Sequence, residues 1–265
     1  MDDQTTESAL SLTKFGIGQP VRRSEDPTLV RGQGSYADDV GLAGQAYAVM
    51  VRSTVAHGVI KGIDTAAAKE MPGVLAVITA ADLEGYGGFT CGLPLKNRDG
   101  SPIHQTPRPA LAGDKVRFVG DPVACVIAET VAQAKDAAEA VTVDIDPLPA
   151  VLDPAEAAKP GAPLVYDSIS NNLALDYHYG DADKVAEAFA KAKHVTRLET
   201  SNQRMVVAPM EPRAATGEYD AATEKWTLHS SSQGVFGMKT NLVDILARRP
   251  SRCASSPARS AARSA

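Results

Sequence analysis

The spacing of apolar and polar side chains changes period several times along the chain, and each change marks an element. "QAYAVMVRS" (45–53) reads as a strand, bounded by Gly44 before it and the turn-like "TVAHG" after it, and "VLAVIT" (74–79) as a buried strand. Between them "DTAAAKEM" predicts a short helix with Asp64 or Thr65 as N-cap, closed by Pro72 and Gly73. Further on, "VACVIA" is a buried strand. Val131, Ala134, Ala138 and Val141 then fall at helical spacing behind a cap at Glu129 or Thr130, and "VTVDI" returns to the strand pattern. That strand–helix–strand run predicts one layer of an α/β arrangement.

In the second half, Asp181 is placed to cap a helix with Val185, Phe189 and Ala192 on one face, and "HVTRLET" (194–200) is expected to continue as a strand. "AATGEY" and "KWTLHSS" around the turn "DAATE" predict a hairpin, with Trp226 and Leu228 on one face of the second strand and Thr227 and His229 on the other. Val235, Met238, Leu242 and Ile245 then form the apolar stripe of a last helix.

Three stretches carry no period. Residues 1–15 are expected to be a disordered leader; Leu83–Leu111, rich in Gly, Pro and polar residues, is a functional loop or a connector over the surface; and 151–166, rich in proline, is a linker. After Leu246 the apolar pattern stops. "ARRPSRCASSPARSAARSA" contains Arg248, Arg249, Arg252, Arg259 and Arg263 and no acid, an abrupt change from the acidic body.

Composition narrows the function classes. A chain of 265 residues with 44% hydrophobic and 22% charged residues can build one large or two ordinary cores. The net charge of −5 gives no electrostatic footprint for nucleic acid, no apolar run reaches a membrane-spanning length, and the acidic, polar N-terminus is unlike a secretory signal, so a cytoplasmic location is expected. Cys91, Cys125 and Cys253 are far apart and odd in number, which argues against a disulfide framework or a CxxC metal site, and Cys125 reads as a small core residue. The "GIG" (16–18) and "GQG" (32–34) runs do not complete a phosphate-loop pattern and read as turns. His57 has no metal-ligand partner at a suitable spacing and reads as structural or surface. Asp38, Asp39, Asp144 and Asp146 read as solvated edges. No GxSxG elbow or Walker loop is present, so the residues alone give no complete catalytic constellation.

The order of five blocks adds what the residues alone do not. "GQPVRRSEDPTLVRGQGSYADDV", "VRSTVAHGVIKGIDTAAAKEMPGVLAVITAADL", "KVRFVGDPVACVIAETVAQAKDAAEAVTVDIDPLPAVLD", "APMEPRAATGEYD" and "WTLHSSSQGVFGMKTNLVDIL" follow one another as in the N-terminal part of the molybdenum-containing large subunit of the xanthine dehydrogenase, aldehyde oxidase and aerobic carbon monoxide dehydrogenase family, which the chain closely resembles. The resemblance implies an α+β fold, with an α/β hammerhead domain over 16–150 and an incomplete molybdopterin-binding domain over 167–246. It also implies an oxidoreductase acting on an aldehyde, an N-heterocycle or carbon monoxide. The cofactor would be a molybdenum-pterin group, molybdopterin or its cytosine dinucleotide. Electrons would pass to an iron–sulfur small subunit carrying [2Fe-2S] and to a medium subunit carrying FAD. Gln233, in "SSSQG", matches the family glutamine whose side-chain amide hydrogen-bonds an oxygen ligand on the metal, and no residue of this chain is expected to coordinate the metal directly. Glu211 and Arg213 of "EPR" match as architecture, able to brace strands near the site. In the family, a Gly-Val-Pro-like turn, a strand and a "GGxFGxK" segment follow the helix matching "TNLVDIL". The different residues here, 247–265, imply a frameshift or premature fusion, a non-native basic tail and a fragment inactive alone. For the tail the competing expectation is a genuine disordered basic segment, and for the function it is a non-catalytic remnant or subunit-docking module.

Overall fold

A computed structural model describes residues 23–106, 108–202, 208, 209, 211–246 and 253–257. These fall into two compact units, one within 1–41, 207–236 and 254–265, the other within 42–206 and 237–253. The expected leader, 1–15, and the "GIG" turn lie outside the described residues.

The larger unit is built on two antiparallel sheets. In the first, β1 (Tyr47–Arg52) and β3 (Val74–Thr79) flank β5 (Pro122–Ala128) in the order β1-β5-β3. In the second, β4 (Lys115–Val116) and β6 (Thr142–Pro147) flank β2 (Gly58–Asp64). The helix α3 (Val131–Glu139) joins β5 to β6, so the strand–helix–strand run read from the sequence is real, but its two strands enter different sheets and every pair is antiparallel. Thr130 is the cap: its side chain accepts the Gln133 N–H at 3.2 Å. The short helix α2 (Ala66–Lys69) starts where the Asp64 carboxylate accepts the Ala66 N–H at 2.9 Å, while Thr65 makes no cap bond.

Side chains from both sheets close two adjoining cores. Ala68, Val77, Ala124, Val126, Ala137 and Val141 form one, and Ala112, Val116 and Val123 the other, with Val51, Ile63 and Val143 packed against both. Cys125 is buried beside them, as expected of a small apolar residue, and burial pushes its thiol pKa up. β2 was not legible as a strand. Gly58, Lys61 and Gly62 break its alternation, and its register with β6 shifts between Ile60 and Gly62. Gly58 is required there by close approach, since a Cβ would stand 2.4 Å from Ile145 Cγ2 and 2.8 Å from the Asp146 carbonyl oxygen.

The long loop 83–111 is irregular, as expected, and is tied down at a few points. Phe89 pairs with Arg108, Lys96 with Pro102, and the Arg108 guanidinium lies 4.9 Å from the Phe118 ring centre. The proline-rich stretch after β6 is also tied down. Asp153 caps α4 (Pro154–Ala157), and the Asn172 side chain, at φ 55°, accepts the Val165 N–H and donates to the Ala157 and Pro163 carbonyls. Lys115 Nζ meets Asp167 at 2.6 Å and the Arg117 guanidinium lies 4.7 Å from the Tyr166 ring centre, which fastens this stretch to β4. His57 is buried there with Nδ1 3.0 Å from the Pro149 carbonyl, a structural role. Helix α5 (Ala182–Lys191) begins at the expected cap, Asp181, which accepts the Lys184 N–H at 3.0 Å. Its apolar residues Val185 and Phe189 are exposed, and 194–200 forms no strand, in contrast to the expectation from its alternation. No ladder partner is present for it among the described residues, and a strand needs one.

The smaller unit holds α1 (Asp26–Leu29), a 3-10 turn at Ala37–Asp39, and a sheet of order β7-β8-β9. The hairpin of β7 (Ala215–Asp220) and β8 (Lys225–Ser230) has the predicted turn, with Glu224 at φ 53°. Its register pairs Tyr219 with Trp226, whose rings lie 4.6 Å apart, and places Thr227 and His229 on the opposite face, as read from the sequence. Helix α6 (Val235–Leu246) follows. In the tail, Cys253–Pro257 adds β9 to this sheet, so part of the stretch expected to be non-native has strand backbone; 247–252 and 258–265 lie outside the described residues.

Candidate functional site

β8 ends at Ser230 and α6 begins at Val235, so Gln233 stands on a four-residue bend between a strand end and a helix start. The bend is shaped by short local bonds: Ser230 Oγ donates to the Ser231 carbonyl at 3.1 Å, and the Gly234 N–H donates to Ser232 Oγ at 3.0 Å. Gln233 itself is exposed, and its amide makes no hydrogen bond among the described residues. The space beside it is open, because nothing lies within 4 Å of where a Gly234 Cβ would be, and the Phe236 ring is 84% exposed.

An amide NH₂ donates two hydrogen bonds without carrying charge or titrating. No acidic residue lies in the first turn of α6. As an exposed donor, the Gln233 amide is suited to a group that offers oxygen acceptors. Among the described residues, no cluster of three His, Cys, Asp or Glu side chains could hold a metal ion.

Glu211 is buried just ahead of β7 and its Oε1 accepts the Ala37 N–H at 3.2 Å, a bond to a 3-10 turn and not to a neighbouring strand. Arg213 is exposed. Asp38, Asp144 and Asp146 are exposed, and Asp39 closes its own turn by accepting the Tyr36 N–H at 2.7 Å. An open polar cleft of ≈ 390 Å³, lined by residues that include Asn97, Arg98, His104 and Asp176, was not foreseen; Gln233 does not line it. Its only sequence signal is the polar composition of the 83–111 loop.

Comparison with known proteins decides the family. Residues 31–149 match the a/b hammerhead domain of aldehyde oxidase and xanthine dehydrogenase, and residues 165–256 match the molybdopterin cofactor-binding domain. The chain belongs to the xanthine dehydrogenase and aldehyde oxidase family of molybdenum hydroxylases. Within that family it is 38% identical over 225 residues to the nicotine 6-hydroxylase large subunit of Paenarthrobacter nicotinovorans, covering 84% of this chain and 26% of that protein. It is 33% identical over 266 residues to the carbon monoxide dehydrogenase large chain of Afipia carboxidovorans, covering 94% and 32%. Among solved structures, quinoline 2-oxidoreductase from Pseudomonas putida 86 superposes with a TM-score of 0.82 at 30% identity, covering 93% of this chain and 31% of that one. The chain thus spans about a quarter to a third of the length of these relatives. The α+β architecture expected from the resemblance, hammerhead followed by the start of a molybdopterin-binding domain, is the one found. No described helix is long and apolar enough to cross a membrane.

Proposed function

We propose that the chain serves in a molybdenum hydroxylase, as the part of the large subunit that carries the hammerhead and the first wall of the molybdenum-pterin site. The observation that carries this reading is the order of the two family matches, 31–149 and then 165–256, with Gln233 inside the second on an open strand-to-helix bend. When bound, such a cofactor supplies the two-electron oxidation of an electron-poor carbon. The chain contributes orientation. The Gln233 amide would donate to an oxygen acceptor of that group, and because it carries no proton equilibrium near neutrality its donation would be the same at any working pH. The Gly234 N–H bond to Ser232 Oγ shapes the backbone of the bend that carries that amide. The substrate in this reading is a small aldehyde, N-heterocycle or carbon monoxide, and electrons leave to iron–sulfur and FAD subunits.

Molybdenum analysis tests it. The chain purified from a host that makes the pterin cofactor is expected to carry molybdenum, and Gln233→Ala to lose most of it. In the assembled enzyme Gln233→Ala is expected to lower turnover by about 10²-fold, the usual effect of removing one preorganised donor. Metal-free chain from such a host, with a Gln233→Ala variant no different in the assembly, would sink the proposal.

A second reading is favoured by where the apolar cores lie. Both are in the β1–β6 unit, so the hammerhead can hold its shape as a docking module whether or not a cofactor is bound. Capture of an iron–sulfur subunit by chain free of molybdenum would support it.

A further inference from the structure

Glu211 is 9% exposed, and its carboxyl oxygen takes the Ala37 N–H from the far end of the sequence. Ala37 is itself fully buried and opens the 3-10 turn Ala37–Asp39, which packs against β7. The turn is closed on itself by two bonds, from the Tyr36 N–H to Asp39 Oδ2 at 2.7 Å and from the Asp39 N–H to the Tyr36 carbonyl at 3.1 Å. The hairpin register pairs Ala215 with Ser230. The chain entering β7 from Glu211 and the chain leaving β8 toward Gln233 therefore part at the same end of the hairpin. The other end is closed by its own turn, where Thr223 Oγ1 donates to Asp220 at 2.5 Å. The Gln233 end has no such turn.

We propose that Glu211 is a positioning residue for the Gln233 bend: by holding the Ala37 turn against β7, it keeps the open end of the hairpin from fraying. Its functional meaning rests on the reading of Gln233 above, while its geometry does not. Removing the acceptor leaves a buried N–H unpaired, which costs more than a hydrogen bond between neutral surface groups.

Hydrogen exchange on the full chain tests this with Glu211→Met, which keeps volume without an acceptor, and Glu211→Gln, which keeps an acceptor of the same reach. In Glu211→Met, exchange is expected to speed up about tenfold at Ala37 and at the amides next to Ala215 and Ser230, fading toward Asp220 and Lys225. Glu211→Gln is expected to restore the wild-type pattern. Uniform acceleration along the hairpin, or acceleration confined to Ala37, overturns the proposal. Should Glu211→Met not fold, Glu211→Asp, one methylene short, must show the polarised fraying and Glu211→Gln must not; equal fraying in both overturns it. Gln233→Ala separates the two readings. If that variant keeps its molybdenum while the Glu211→Met hairpin frays, Gln233 is not the cofactor contact and Glu211 still positions the bend.

Discussion

At the scale of single residues, stability here hangs on a few close approaches and paired charges. Gly58→Ala places a methyl group within 2.4 Å of Ile145 and 2.8 Å of the Asp146 carbonyl, and strands β2 and β6 must part to admit it. The expected cost is about 1–3 kcal/mol by chemical denaturation, as for other overpacked sites. The ion pair of Lys115 and Asp167 answers to pH. The hydrogen bond from Lys115 Nζ, then its charge, holds the Asp167 carboxyl below the usual carboxylate range, with Arg117 and His57 adding to it. A carboxyl lowered on folding contributes stability above its unfolded value, near pH 3.9, that is lost as pH falls through the folded value. Lys115→Met should therefore be less stable than wild type at pH 7, and the gap should close as acidification carries the pH through the lowered Asp167 value. A gap of constant size across that range would mean that Lys115 acts by packing alone.

Elements show which sequence signals are sufficient and which are not. Caps and turns were legible because their chemistry is local: Asp181 and Thr130 each satisfy a backbone N–H three residues on, and the β7–β8 turn falls where the apolar alternation pauses. Thr130→Ala is expected to cost about 1 kcal/mol. Strands depend on partners distant in sequence, and there the reading failed in both directions. β2 is a strand despite its glycines because β4 and β6 pair with it, whereas 194–200 alternates well and forms none. Gln233 is a candidate only through the order of the family's blocks. Its own surroundings, an exposed bend of serines, carry no catalytic signal. The bond from the Ala37 N–H to Glu211 was not legible, since nothing local links residues 174 positions apart. The apolar face of α5 illustrates the same point in energetic terms. Val185 and Phe189 are exposed, so Phe189→Ser should change stability by no more than about 0.5 kcal/mol, while Val126→Ala, at the fully buried centre of β5, should cost about 2 kcal/mol. A large loss at Phe189 would show that the α5 face is covered in solution.

Across the whole molecule, buried apolar surface is divided unevenly. The buried hydrophobic residues that can be described lie almost all within 42–206, in the cores around β5, and the unit built on β7 and β8 contributes Ala37. Local stability follows buried contact, so the two units should not unfold together. The single tryptophan makes this testable, because Trp226 lies on β8 against Tyr219 and reports only on the hairpin unit. In urea, its fluorescence is expected to change at a lower midpoint than the far-UV circular dichroism, which is dominated by the larger unit with its two sheets and α3. Amides of β5 should correspondingly exchange about 100-fold or more slowly than those of β7 and β8. Coincident midpoints would mean that the hairpin draws its stability from the larger unit. Binding of a molybdenum-pterin group at the Gln233 bend, as proposed, would then stabilise the smaller unit first, since a ligand raises the stability of the part that must be folded to hold it. The fluorescence midpoint should rise with cofactor loading while the exchange rates of β5 stay fixed.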